Sequence, residues 1–120
     1  MKFMAIIYGN KETWDSFPAE DWPKAIEAQD AFNAKFTDTG ELVSALGLGD
    51  ELTARTVKVR EGAVTVTDGP YVEAKEFVSS VYLLDCVDED RALAVSAEIP
   101  FASFRSVEVW PVLHGNGSDM

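Results

Sequence analysis

Cysteine, histidine and basic residues are scarce in this sequence, and each shortage excludes a class of protein. The 120 residues include one cysteine, Cys86, and one histidine, His114. An internal disulfide is therefore excluded, and Cys-x-x-Cys or Cys/His zinc patterns are absent. We expect a cytoplasmic chain that folds on its own hydrophobic core and holds neither a metal nor a cofactor.

The shortage of positive charge excludes further partners. Lysine and arginine number 10 against 21 aspartates and glutamates, which gives a net charge of −11. A phosphate backbone requires clustered basic side chains, so nucleic-acid binding is not expected. An anionic membrane surface would repel the chain, and no apolar run approaches the 18 residues that a membrane-spanning helix needs.

The apolar periodicity predicts a first strand at 3–8, a loop at 9–17 and a helix that ends at Gly40. Ser16 or Asp21 can cap this helix, and Pro18 or Pro23 then lies in its first turn. Its apolar stripe is formed by Trp22, Ala25, Ile26, Ala28, Phe32 and Phe36. A strand is expected at 41–48.

The segments 54–60 and 63–67 are predicted to form a hairpin around Glu61-Gly62. A two-residue turn would place Val59 opposite Val64 and put the valines on one face. A type I turn with a bulge at Gly62 is the competing geometry.

Three further elements complete the chain. The nearly continuous apolar run 78–87 predicts a central strand that contains the buried, inert thiol of Cys86. Asp88 is expected to cap a helix over 89–98, with Ala92, Leu93, Ala97 and Ile99 on its inner face. A last strand is expected at 106–112. We expect one domain over 1–113 and a flexible tail over 114–120.

The resulting order, βαββββαβ, predicts an α+β fold of the ferredoxin-like type, with two helices on one face of an antiparallel sheet. The other face is then left bare, and Tyr82, Leu84 and Trp110 are candidates to lie on it. A second copy is the simplest cover for an apolar sheet face, so a homodimer is predicted.

The least generic stretch is DGPYVEAKE at 68–76. Asp-Gly-Pro is turn chemistry, and four ionisable side chains lie within nine residues: Asp68, Glu73, Lys75 and Glu76. A tight turn leading into a solvated, charged strand is the structural interpretation, and a functional site is the alternative.

This stretch resembles the DGPF-type signature of the YCII-related family, with Tyr71 in place of phenylalanine. The hairpin at 56–70, the YLLD at 82–85 and the VEVWPV at 107–112 resemble the same family. The resemblance implies a dimeric α/β barrel of ferredoxin-like protomers. Some members of this branch occur beside sigma factors, and a few enzymes of the wider superfamily use a His-Asp pair. Here the only histidine, His114, follows the last strand, and Ser79-Ser80 stand where many members have Gly-Gly.

Two functions are consistent with these features. The favoured one is a homodimer that binds a small organic ligand or a regulatory protein, such as a sigma-factor-type partner, through its acidic surface. The alternative is a small-molecule isomerase or lyase at the DGPY turn, with Asp68, Glu73 and Lys75 as catalytic groups. The residues expected to contact the ligand are Tyr8, Trp14, Tyr71 and Glu76. A tryptophan in such a loop is more often a packing lid over the start of the helix than a pocket wall. Arg55, Lys58 and Arg60 are expected to form a basic face on one strand, either paired with carboxylates or serving as an anion subsite.

Overall fold

A computed structural model describes residues 1–70 and 75–117 of the chain. Four of its strands form one antiparallel sheet in the order β2-β5-β1-β6, and β3 and β4 form a separate hairpin. The strands are β1 (Lys2–Gly9), β2 (Leu42–Gly47), β3 (Arg55–Arg60), β4 (Ala63–Asp68), β5 (Phe77–Asp85) and β6 (Val107–Pro111). The helices are α1 (Lys11–Asp15), α2 (Trp22–Thr39) and α3 (Glu89–Ser96).

Local chemistry explains where the helices begin and end. Pro23 lies in the first turn of α2, and Gly40 ends that helix with a φ of 82°, which only glycine adopts without strain. Asp88 caps α3 by accepting a hydrogen bond from the backbone N–H of Arg91 at 2.8 Å. These features agree with the sequence-based expectations. The short helix α1 lies where a loop was expected, and it forms because Asn10 accepts a hydrogen bond from the N–H of Thr13 at 2.7 Å.

The core lies between one sheet face and the helices. Phe3, Ala5 and Ile7 alternate along β1 and are 2%, 0% and 1% exposed. They pack with a further set of buried side chains from α2, β2, β5, α3 and the segment that follows it: Phe32, Phe36, Leu42, Tyr82, Leu84, Cys86, Ala92, Val95 and Ile99. The α+β architecture, with the helices on one face of an antiparallel sheet, is thus confirmed.

The expected residues of the open sheet face need one correction. Tyr82 pairs with Ala5 and Leu84 with Phe3, so both side chains point toward the helices and are buried. Placing them on the bare face was wrong. β5 is apolar on both faces, so its sequence does not show which face points toward the core. Trp110 pairs with Met4 and does lie on the open face, where it is 55% exposed.

The inner stripe of α3 also differs from the prediction. Leu93 is 48% exposed, and Val95 and Ser96 are buried in its place beside Ala92. The helix ends at Ser96, two residues before the predicted end. Spacings of three and four residues from Ala92 reach Val95 and Ser96, so the predicted stripe is out of phase with the buried one.

The β3–β4 hairpin has the predicted register. Val59 pairs with Val64 and Val57 with Val66 across the turn. Glu61 and Gly62 have φ angles of 51° and 80°, as a two-residue type I′ turn requires, so the bulged alternative does not apply. The expected common basic face is wrong in one detail: Arg55 shares the valine face, whereas Lys58 and Arg60 lie on the other face.

An ion pair joins Glu41, the residue before β2, to α3 and predicts a pH dependence of stability. Arg91 binds both carboxylate oxygens of Glu41, at 2.7 and 2.8 Å, and lowers the pKa of that carboxyl below its usual value. A lowered pKa stabilises the fold above the pKa of the unfolded chain, and this contribution is lost as the pH falls through the lower, folded value.

We therefore expect the Tm of the wild type to fall on acidification from about pH 5 to about pH 3. The Tm of Glu41→Gln should fall less over the same range, because the variant lacks the titrating carboxyl. Differential scanning calorimetry across this range measures the effect. Glu27→Gln, at an exposed position on α2, is the matched control and should leave the slope unchanged. Equal slopes for the Glu41 and Glu27 variants would contradict the assignment.

The Cys86 thiol lies in the core. It is 3% exposed, as expected for an inert thiol, and burial raises its pKa. Over residues 1–70 and 75–117, none of the helices has the length and apolar content needed to cross a membrane.

Candidate functional site

Two hollows lie at one end of the four-stranded sheet, where β1 ends and β5 and β6 begin. We call the first the Tyr8 cavity. Its volume is about 450 Å³, and its lining residues are Tyr8, Glu76, Ala102, Ser103, Phe104, Arg105, Ser106 and Glu108. Small-molecule sites commonly measure about 300–1,000 Å³, so this cavity can hold a compact organic molecule.

The Tyr8 cavity lies on the open side of the sheet, away from the helices. Along β1 the even-numbered side chains point to this side, since Phe3, Ala5 and Ile7 face the core. Glu108 reaches the same side because it pairs with Ile6 in the β1–β6 register. Strand pairing thus brings together two residues from opposite ends of the sequence.

Tyr8 and Glu108 lie together in the lining of the Tyr8 cavity. Burial, followed by the hydrogen bond to the Glu108 carboxylate and its negative charge, raises the pKa of the Tyr8 phenol above its ordinary value. The phenol therefore keeps its proton at neutral pH and acts as a hydrogen-bond donor. Glu108 also accepts a hydrogen bond from the indole N–H of Trp110 at 3.1 Å, which holds the carboxylate in place on the sheet face.

Arg105 and Glu76 also line the cavity. The Arg105 guanidinium pairs with the Glu76 carboxylate, and its Nε donates to the backbone carbonyl of Tyr8 at 3.4 Å. A guanidinium has five N–H donors, so Arg105 keeps donors for a ligand. The cavity can thus donate through Arg105 and accept through Glu76 and Glu108. Tyr8 can donate to a ligand when its single O–H turns from Glu108 to that ligand.

The second hollow, the Trp14 cavity, adjoins the other side of β1 and measures about 210 Å³. Its walls are Gly9, Asn10, Trp14, Leu48, Gly49, Asp50, Glu51, Phe77, Val78 and Ser79. The Trp14 indole N–H donates to the Ser79 hydroxyl at 3.0 Å, and its ring packs edge-on against Phe101 at 5.3 Å between centroids. Trp14 is therefore a packing residue that also forms one cavity wall.

The remaining residues singled out in the sequence lie in different places. Asp68 ends β4 and has a side chain that is 92% exposed, with its carboxylate 3.4 Å from Nε of Arg55. The side chain of Lys75 is exposed, and its backbone carbonyl accepts a hydrogen bond from Asn10 at 2.6 Å. Tyr71 and Glu73 fall outside the described residues. The structure thus brings together Tyr8 and Glu76, and it places Trp14 and Asp68 elsewhere.

Sequence reasoning missed Arg105 and Glu108. The alternation of β6 is visible in the sequence, and it separates Glu108 from the core-facing residues Val107 and Val109. Nothing in the sequence shows that this glutamate would meet Tyr8, because the pairing of the first strand with the last is a tertiary feature. Arg105 precedes β6 in a turn and gave no periodic signal.

Metal-ligating side chains are not clustered in the part of the chain that the structure describes. No group of three or more His, Cys, Asp and Glu side chains within those residues is arranged to hold a metal ion.

Comparison with known proteins adds a family and a fold. The model of the YCII-related domain matches residues 1–114. An uncharacterised protein of Rhizobium meliloti (strain 1021) is 27% identical over 114 residues, which cover 93% of this chain and 92% of that protein.

A solved structure has a similar fold. It is 5-chloro-2-hydroxyhydroquinone dehydrochlorinase from Burkholderia phenoliruptrix AC1100, in complex with 2,5-dihydroxybenzoquinone. The TM-score is 0.53 over 96% of each chain, at 12% sequence identity. At this identity the match establishes the fold alone.

Proposed function

The chain belongs to the YCII-related domain family, and from that premise we propose that it is a homodimer that binds a small organic ligand in the Tyr8 cavity. The observation that carries the proposal is the cavity itself. It is large enough for a compact ring molecule, and Tyr8, Glu76, Arg105 and Glu108 all line it. Pockets with a few converging polar groups are the usual small-molecule sites of proteins.

The charges of the cavity favour a neutral, hydroxylated ligand. Arg105 is paired with Glu76, so Glu108 leaves the cavity with an excess negative charge. An anionic ligand would be repelled by that carboxylate, whereas a ligand hydroxyl can donate to it and accept from Arg105. A quinoid ring with two hydroxyl groups is bound by the fold neighbour, which supports a ligand of this size.

The open sheet face supports the homodimer. Met4, Ile6, Val81 and Leu83 are only partly buried there, and Trp110 is 55% exposed. Exposed apolar faces of this kind commonly serve as interfaces. Tyr8 and Glu108 lie at one end of the same face, so a second copy that covers it would also limit the access of water to the cavity.

The binding proposal predicts that Tyr8→Phe weakens the affinity for a ligand found by thermal-shift screening of hydroxylated rings. Loss of one hydrogen bond to a ligand corresponds to about 0.5–1.5 kcal/mol, or roughly 2- to 13-fold in the dissociation constant. Isothermal titration calorimetry measures the change. Glu108→Gln should also weaken binding, and Glu27→Gln on α2, outside the cavity, is its matched control. Unchanged affinity in both cavity variants would place the ligand elsewhere.

An enzymatic role is the second candidate, and the Tyr8–Glu108 pair favours it. In an isomerase or lyase, the Glu108 carboxylate would accept a proton from the ligand and the Tyr8 phenol would donate one to the developing oxyanion. The fold neighbour is a dehydrochlorinase, which supports reactions of this class. Proton NMR of the ligand after incubation with the protein would detect an isomer, and mass spectrometry would detect an elimination product. Either product would appear only if the protein is an enzyme.

Other roles stay predictions. Asp68, Glu73 and Lys75 remain candidate catalytic groups of a separate site at the DGPY turn, and Trp14 and Tyr71 remain candidate ligand contacts. A regulatory protein partner with a basic surface would suit the net charge of −11. Cytoplasmic localisation is likewise an expectation from the absence of disulfides.

A further inference from the structure

The β3–β4 hairpin, which we call the arm (Arg55–Asp68), presents a patch of four valines that the described part of its own chain leaves exposed. The valines form two cross-strand pairs, Val57 with Val66 and Val59 with Val64. These side chains are 63%, 49%, 56% and 64% exposed in that order. Each strand of the arm thus has one apolar face, and the valines on that face are exposed to solvent.

An isolated arm of this kind has little stability of its own. Two-stranded hairpins are marginal in water unless a further strand or a packed face supports them. The molecule is also extended, with a radius of gyration of 16.3 Å, whereas a compact domain of this length has about 13.6 Å. The valine face therefore needs a cover that the described residues of its own chain do not supply.

Charge indicates what that cover is. The arm carries Arg55, Lys58 and Arg60 against Glu61 and Asp68, so its net charge is 3 − 2 = +1. The rest of the chain then has a charge of −11 − 1 = −12. The excess positive charge lies on the face opposite the valines, on Lys58 and Arg60, since Arg55 pairs with Asp68. This charge attracts the arm to the acidic body of another copy and not to another arm, and the valine face then makes the contact.

We propose that the arm packs its valine face on the body of a second copy, so that the two protomers exchange arms. This interface adds to the open-sheet contact, and it rests on the dimer part of the proposed function. It does not depend on the ligand. The base of the arm adjoins a further hollow lined in part by Leu48, Ala54, Pro70 and Val78, so a docked arm would also hold these wall residues in place.

Isosteric substitutions on the two faces of the arm test the proposal. The quadruple variant V57T/V59T/V64T/V66T keeps shape and strand propensity but makes the docking face polar. Its matched control, T65V/T67V, changes neighbouring residues on the opposite face of β4. We expect the dimer dissociation constant from sedimentation velocity to rise at least about tenfold in the quadruple variant and to change less than about twofold in the control. Far-ultraviolet circular dichroism verifies that both variants fold.

Photo-crosslinking provides a second readout that does not depend on the stability of the variants. A benzophenone amino acid at position 64 should link to residues 1–54 or 77–113 of the other copy, and at position 65 it should not. Mixing isotopically labelled with unlabelled chains separates links between copies from links within one chain. Links confined to one chain, or links between two arms, would overturn the arrangement.

The outcomes separate this proposal from the proposed function. An unchanged dimer dissociation constant in the quadruple variant would disprove the arm contact and leave the sheet-face dimer as the interface. If the wild-type chain is monomeric at micromolar concentration, both dimer contacts are disproved. The affinity for a ligand and its dependence on Tyr8 are measured independently of that result.

Discussion

Phe36→Ala is expected to lower the free energy of unfolding by about 3–5 kcal/mol. Phe36 is 0% exposed, and its ring lies 4.9 Å from that of Phe32 between centroids. The Arg91 guanidinium carbon lies 5.9 Å from the same ring. Alanine would leave a cavity at the centre of the contact between α2, the sheet and α3, because the surrounding strands can relax only partially.

Urea unfolding followed by circular dichroism measures this loss at a fixed protein concentration, because a dimer makes stability depend on concentration. Ile26→Ala is the control on the same helix. Ile26 is 57% exposed, so its truncation should change the free energy of unfolding by no more than about 0.5 kcal/mol. Similar losses for the two variants would mean that α2 does not pack against the sheet through the face that Phe32 and Phe36 share.

Gly9→Ala should destabilise the protein by about 1–3 kcal/mol, although the change adds only a methyl group. A Cβ atom at Gly9 would lie 2.6–2.9 Å from three atoms of the Trp14 indole, which is too close for any real contact. Trp14 cannot move away freely, since its N–H is bonded to Ser79 and its ring packs on Phe101. The glycine is therefore required by the close approach of the indole ring to the end of β1.

Gly47→Ala is the matched control, because a Cβ atom there meets nothing within 4 Å among the residues that the structure describes. Both glycines lie at the last position of a strand, and alanine is favoured over glycine in strands by about 0.5–1 kcal/mol. We therefore expect Gly47→Ala to leave the free energy of unfolding unchanged or to raise it slightly. Thermal unfolding and near-ultraviolet circular dichroism of the aromatic rings compare the two. A Gly9 variant as stable as the Gly47 variant would show that Trp14 is not held at this position.

Gly9 also connects the packing of Trp14 to the proposed ligand site. β1 carries Tyr8 on its open side, and Gly9 follows in contact with Trp14. A side chain at Gly9 would displace the end of the strand and with it the Tyr8 phenol. Ligand affinity should therefore fall in Gly9→Ala and be retained in Gly47→Ala.

Local chemistry in the sequence was sufficient for most of the fold. The cap at Asp88, the end of α2 at Gly40 and the turn at Glu61-Gly62 each depend on residues close in the chain, and all three were predicted and confirmed. The resemblance of the 68–76 segment to the YCII-related signature likewise predicted the family, which the match over residues 1–114 confirms. The net charge of −11 and the single histidine also led to the expectations that the chain does not bind nucleic acid and has no histidine dyad in its core, and these stay predictions.

Pairing between distant strands decided the rest. The facing of Tyr82 and Leu84 toward the helices depends on the register of β5 with β1, and an unbroken apolar run contains no period that could reveal it. Tyr8 and Glu108 lie close together because the first and last strands pair. The sequence alone therefore determined which local elements form and which chemistry the chain has available. Only the tertiary structure decided which side chains meet, because strand register is set by the burial of a shared core.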